Sequence, residues 1–402
     1  MSAIGVLVGL LFAAYAGSML MGGRRLRGHG LPSGSEWLVV GFVLGPAVLG
    51  VVSSDALVAF EPAVGVAVSW LALVCGAEYG YAGDHRIELR RFVAGIACAL
   101  LSAVMVGGLV YTAAIALTEF TSREAAFLGA GIGLASCETA RYALRWAAEH
   151  GADSPLLVLL AEIADTDEVV PLLGLSVLFV LAPSTTTLAL APIHWLGITA
   201  GVGILLGLTC AVLLRESADV TDAWGVVLGA AWLGTGIAWR LGLSAPSVLF
   251  LLGVSLCAVS RHGRELRRML QRSEDAVVVP TLLMAGALAS MPDTRSFAVI
   301  VVVALVARGL ARSLIGAGLG AVANAPAGTR GSLALGFWST GMLSPLVALA
   351  CALRFRDEVG DLILTAGCAM TVAGELVGPL FLRRALATGT RPDVPANVEP
   401  AA

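Results

Sequence analysis

Apolar runs of about 20 residues, parted by short polar breaks, repeat along the whole chain, which is the length a helix needs to cross a bilayer. Counting them predicts thirteen membrane helices, near 3–22, 36–52, 59–80, 91–117, 122–148, 155–182, 193–214, 222–241, 245–260, 274–291, 296–323, 331–354 and 359–384. The expected fold class is an all-α membrane protein, with residues 1–387 forming one polytopic domain. Residues 388–402 are rich in Pro, Ala and Thr and are expected to be a disordered tail. Residues 3–22 lack a basic leading region and a clear cleavage site, so they read as a retained first span rather than a signal peptide.

Three of the runs carry polar interruptions. The sixth holds Glu162, Asp165, Asp167 and Glu168, four carboxylates within seven residues. A single Asp near a membrane helix centre costs about 2.5–3.5 kcal/mol even on the lenient insertion scale. The segment must therefore face protein or a watery cavity, where acids attract cations and protons. The fifth run contains Gly129, Gly131 and Gly133 followed by Ser136, Cys137, Glu138 and Thr139. The twelfth contains Gly331, Gly336 and Gly341 with Ser339, Thr340, Ser344 and Pro345. Gly and Pro weaken helices, and freed backbone groups at membrane depth survive only beside protein or a cavity. Two interrupted helices in different halves of the chain point to a transporter of inverted repeats with a site near the bilayer midplane.

Composition agrees: 58% of residues are hydrophobic, 13% are charged and the mean hydropathy is +0.89, outside the range of ordinary globular domains. All 25 basic residues are Arg, so no lysine chemistry is available. Their placement orients the chain. Loops after odd-numbered spans hold Arg24, Arg25 and Arg27, then Arg86, Arg90 and Arg91, Arg215, Arg261 through Arg272, Arg330, and Arg383 with Arg384. Loops after even-numbered spans hold little beyond Arg123, Arg240 and Arg295. The positive-inside rule then predicts an external N-terminus and a cytoplasmic C-terminus. The seven cysteines lie in apolar stretches without metal-ligand spacing and read as small buried hydrophobes. The histidines form no constellation, and no cofactor or resident metal is implied.

Several segments resemble the monovalent cation:proton antiporter superfamily. The second span, from Gly41 through Leu44-Gly45-Pro46 to Leu49-Gly50, looks like that family's G-x-x-L-G-P-x-x-L-G. Gly76-Ala77-Glu78, followed by a basic segment, is similar to its G-L-E signature. Leu241 to Ser244 through Gly253, an arginine-rich link to Glu274-Asp275, Arg308-Gly309 with Arg312 and Gly316, and Glu375-Leu376-Val377-Gly378-Pro379 follow in the family's order. The resemblance implies a thirteen-span, sodium/proton antiporter-like fold of inverted repeats, with two broken helices crossing, and a homodimer whose mobile core holds spans five, six and twelve. The family pattern E-x-x-x-N-D-x-V falls on Glu162, Thr166, Asp167 and Val169. That makes Asp167 the expected ion-binding and proton-carrying group, with Thr166 beside it. Glu138 falls where many members carry Asp in the broken fifth helix. The chain departs from the pattern in Thr166, in the additional acids Asp165 and Glu168, and in Ser344, which stands near a basic position of the twelfth helix.

A carboxylate in a partly dehydrated cavity can hold either a proton or a hard cation on the same oxygens, so one aspartate suffices for exchange. Helical spacing puts Glu162, Asp165 and Glu168 on one side, either as a hydrated path or second proton site, or as a face paired with arginines. Glu138 is expected to offset half-helix dipoles, or to touch the ion. Ser136, Cys137, Thr139, Ser339, Thr340 and Ser344 are expected to support the broken helices, with the hydroxyls as candidate ligands. Arg308 is expected to neutralise a buried acid. The function expected is exchange of H+ for Na+ or Li+ by alternating access in a prokaryotic-type inner membrane, with Na+ bound only transiently at Asp167. The alternatives are a K+/H+ exchanger and a transport-inactive sensor or scaffold. Nothing indicates nucleic-acid binding. No catalytic aspartate pair on separate spans, Ser-His pair or zinc motif suggests an enzyme.

Overall fold

The computed structural model describes residues 34–81, 89–141, 144, 155–182, 190–215, 220–290, 295–322 and 330–389. They form helices and connecting turns, with no strand among the described residues. In chain order the helices are α1 (Glu36–Leu44), α2 (Ser54–Gly80), α3 (Leu89–Leu117), α4 (Ser122–Ala135), α5 (Pro155–Ala164), α6 (Val169–Leu181) and α7 (Pro192–Leu213). They continue with α8 (Val220–Leu241), α9 (Ala245–Val259), α10 (Gly263–Leu288), α11 (Arg295–Val322), α12 (Arg330–Gly336), α13 (Leu343–Arg354) and α14 (Glu358–Gly389). Five of them, α2, α3, α7, α11 and α14, have described stretches long and apolar enough to cross a membrane by themselves.

The expected first span, 3–22, lies outside the described residues, as does the tail from 390 onward; Thr388 and Gly389 are still helical. The second run is shorter than its hydrophobicity suggests. Its helix stops at Leu44, because Pro46 has no N–H to continue the ladder and Gly50 turns the chain at φ +60°. The tenth begins earlier, at Gly263: the arginine-rich link is not a loop but the polar first turns of α10.

The sixth run differs most. Periodicity predicts one helix over 155–182, yet a turn at 165–168 interrupts the helical ladder between α5 and α6. The cause is local. Pro171 cannot donate to the carbonyl four residues back, which is that of Asp167, and its ring crowds that same carbonyl. Hence the ladder fails at the acidic stretch, and Glu162, Asp165 and Glu168 do not form a continuous helical stripe.

The helices sort into two bundles by how extensively they pack. One holds α1, α2, α7, α8, α9 and α10; the other holds α3 to α6 and α11 to α14. Within the first, α2 and α9 approach backbone to backbone. A Cβ at Gly76 would strike the carbonyl of Phe250, and one at Gly253 the carbonyl of Leu73. Gly76→Leu is therefore expected to cost about 1–3 kcal/mol or more through overpacking. Thermal unfolding of the purified protein in detergent checks this, and an unchanged midpoint would contradict the packing.

Candidate functional site

Three interrupted helices converge inside the second bundle. Helix α4 ends at Ala135 and residues 137–140 are non-helical; α12 ends at Gly336 and residues 339–341 are non-helical before α13. The two non-helical segments meet where the Ala140 amide donates to the Ser339 carbonyl at 3.2 Å. The acidic turn of residues 165–168 lies against them, since the Thr139 amide donates to Asp167 Oδ2 at 2.9 Å.

Breaking helices inside a membrane leaves orphan carbonyls at one end and orphan amides at the other. Charged side chains answer both. Arg308 and Arg312 sit one turn apart on α11 and so share a face. Arg308 donates to the carbonyls of Trp338 at 3.0 Å, Glu138 at 3.1 Å and Ser339 at 3.3 Å. Arg312 donates to the carbonyls of Ser136, at 2.9 Å, and Cys137, and to Thr139 Oγ1 at 3.1 Å. Glu138 does the complementary job, accepting the Ser344 amide on Oε2 at 2.8 Å, at the N-terminal turn of α13. Guanidinium at half-helix C-termini and carboxylate at an N-terminus are the signs the helix dipole favours. Gly341 leaves the room for this carboxylate, since a Cβ there would collide with it.

Asp167 occupies the centre. Its side chain is fully buried, and Arg312 Nη1 lies 3.8 Å from Oδ2. That is ion-pair range but longer than a hydrogen bond. Oδ1 has no hydrogen-bond partner among the described residues. A buried unsatisfied polar atom costs about 1–3 kcal/mol, and more when charged. Thr166 is also fully buried, but its hydroxyl turns back to the Ile163 carbonyl at 2.9 Å and packs against Gly95 of α3.

The remaining acids face arginines from two directions. Glu162 pairs with Arg91 of α3 at 2.5 Å. Arg141, on the chain just beyond the break of α4, pairs with Glu168 at 2.6 Å, with Glu78 of α2, and at 3.8 Å with Asp165. Glu168 and Glu138 are buried, while the Asp165 side chain is 42% exposed. Of the expected supporting residues, Ser136 bonds the Gly133 carbonyl at 2.6 Å, Cys137 Sγ lies 3.2 Å from the Ala99 carbonyl, and Thr340 bonds the Met370 carbonyl at 3.2 Å. The hydroxyls of Ser339 and Ser344 are buried without a partner among the described residues.

Two residues stand closer to this centre than the sequence suggested. Arg312 appeared there only as part of a motif, while Arg308 was expected to neutralise an acid. In the structure Arg308's hydrogen bonds go to three carbonyls, and Arg312 is the cation beside Asp167. The signal was present: two arginines at helical i, i+4 spacing inside an apolar helix are too costly to face lipid together. Arg141 carried no signal beyond its charge, and its partners come from two separate segments, α2 and the acidic turn.

No family model matches the chain, and no curated protein matches it. Among solved structures, the sodium proton antiporter MjNhaP1 from Methanocaldococcus jannaschii is similar over 94% of this chain and 98% of its own, with a TM-score of 0.67 and 16% identity. At that identity the likeness establishes the fold: this multi-pass membrane chain is folded as that sodium proton antiporter is.

Proposed function

We propose that the protein is a secondary active antiporter that exchanges H+ for a monovalent cation, Na+ or Li+, at Asp167. The observation that carries this reading is the free oxygen of a buried Asp167 at the junction of three interrupted helices. A carboxylate so placed gains from either a proton or a hard cation and cannot hold both well. The start of α6, immediately after Glu168, adds a positive dipole end that tempers the negative charge.

On this reading the chain has thirteen spans in inverted repeats, with the broken fifth and twelfth crossing at the site. Arginine placement sets the N-terminus outside and the C-terminus in the cytoplasm, with Arg123, Arg240, Arg295, Arg354 and Arg356 as exceptions on the outer side. The bundle of α3–α6 and α11–α14 would carry Asp167 up and down against the other, which would supply the homodimer contact, in a prokaryotic-type inner membrane.

The rival reading, a transport-inactive sensor or scaffold, is favoured by Arg312 lying within 3.8 Å of an Asp167 that has no exposure. Purified protein in liposomes, with an internal pH-sensitive dye and a clamped voltage, separates the two. Sodium or lithium gradients are expected to drive proton movement, and the voltage dependence gives the charge moved per cycle. Flux with potassium alone would replace the reading by a K+/H+ exchanger. Silence with all three cations would favour the sensor.

A further inference from the structure

Ion pairs between described residues join the bundles at both ends of α2. Near its C-terminal end, Glu78 accepts from Arg141 of the Asp167-bearing bundle, and both side chains are nearly buried, at 12% and 8% exposure. Near its N-terminal end, Glu61 pairs at 2.6 Å with Arg356, which follows α13 and is 69% exposed. Seventeen residues of helix separate the two acids, about 25 Å, close to the thickness of a bilayer core.

The buried end is reinforced from both sides. Gln271 of α10 donates to the other Glu78 oxygen at 2.7 Å. Tyr79, the next residue on α2, donates its hydroxyl to the carbonyl of Asp165 in the acidic turn. Arg141 in turn holds Glu168, the neighbour of Asp167, at 2.6 Å. One guanidinium thus ties the turn that carries Asp167 to the bundle it must slide against.

We propose that the Arg141–Glu78 pair is a latch between the bundles, which must open each time the Asp167 pocket changes sides and so sets the rate of that movement. This rests on the alternating-access reading above. Arg141 acts as a positioning residue: it touches the turn, not the ion. Water and salt screen the exposed Arg356–Glu61 pair, whereas the buried pair is shielded from both, so the two ends are unequal. Opening the buried end breaks Arg141 from Glu78 and Tyr79 from the Asp165 carbonyl together, while Gln271 stays with Glu78 in its own bundle.

The test uses the full chain in lipid nanodiscs and liposomes, with Glu78→Gln as the main variant. Arg141 keeps Glu168 and Asp165 there, so the fold does not depend on the lost charge. Turnover is expected to rise about three- to fivefold, a bias of under 1 kcal/mol on the moving step. The half-saturating cation concentration should stay within about twofold, because Asp167 is untouched. Amide hydrogen exchange should quicken in residues 72–80 and 263–272 and stay unchanged in α7 and α8. Glu78→Asp should fall between, and Arg356→Gln should change turnover by less than about 1.5-fold, as for an exposed pair. Slower turnover, a shifted cation affinity, or unaltered exchange at the seam would overturn the latch. Should the wild type move no protons, the antiporter reading fails by itself, and the seam exchange of Glu78→Gln still decides whether the pair holds the bundles together.

Discussion

Asp167→Asn is expected to abolish cation-coupled proton flux in liposomes, a fall of more than about 100-fold, while the protein remains folded. Asparagine has the same shape and can still accept the Thr139 amide, so the turn at 165–168 keeps its anchor. What it cannot do is bind and release a proton, or balance the charge of a cation. Glu138, Glu162 and Glu168 cannot stand in, because each is already committed to an amide or an arginine. The measurements are dye-reported proton movement on adding Na+ or Li+, and the thermal unfolding midpoint. Residual flux above about a tenth of the wild type would mean that another carboxylate carries the proton, with Glu168 and its unbonded Oε2 the first to examine.

Arg312→Met is expected to produce the largest loss of stability, about 3–5 kcal/mol, the usual cost of removing one partner from a buried ion pair. Methionine fills much of the volume but leaves the carbonyls of Ser136 and Cys137 without their donor, and Asp167 without its nearest cation. The seven buried cysteines provide the readout, since a thiol-reactive dye reports when heating exposes them. Combining Arg312→Met with Asp167→Asn should recover part of the loss, because the stranded carboxylate is then gone. Arg312→Lys should fall between the two. One ammonium approaches Asp167 but does not span two carbonyls as the guanidinium fork does. A double variant no more stable than Arg312→Met would show that the carbonyl contacts alone account for the residue.

The two effects part company in a useful way. Asp167 is expected to matter for transport and little for folding. Arg312 is expected to matter for folding first, with transport lost as a consequence. A chain in which both substitutions only unfolded the protein would fit the scaffold reading better than the antiporter.

Much of the architecture was legible from hydrophobicity alone. The elements α2, α3, α7, α8, α9, α11 and α14 fall within a few residues of the apolar runs that predicted them, because a membrane helix must satisfy its own backbone and its length is set by the bilayer. The glycines and polar residues around Glu138 and Ser344 also announced that two helices would be interrupted. The interruption at Asp167 was present in the letters as well, in Pro171 four residues downstream, but the apolar run across it outweighed that signal. The same bias made 36–52 too long, despite Pro46.

The sequence by itself determined that this is a chain of membrane helices, that a cluster of acids is buried among them, and that positive charge is distributed unequally between their ends. Those follow from what lipid tolerates, residue by residue. Only the tertiary structure decided which charge meets which. Arg312 rather than Arg308 stands beside Asp167, Arg308 serves carbonyls, and Arg141 gathers Glu78, Asp165 and Glu168 from distant segments. The physical reason is that a buried charge is defined by its partners in space. Those partners sit up to 176 residues away along the chain, as Ser136 does from Arg312, where no local periodicity can reach.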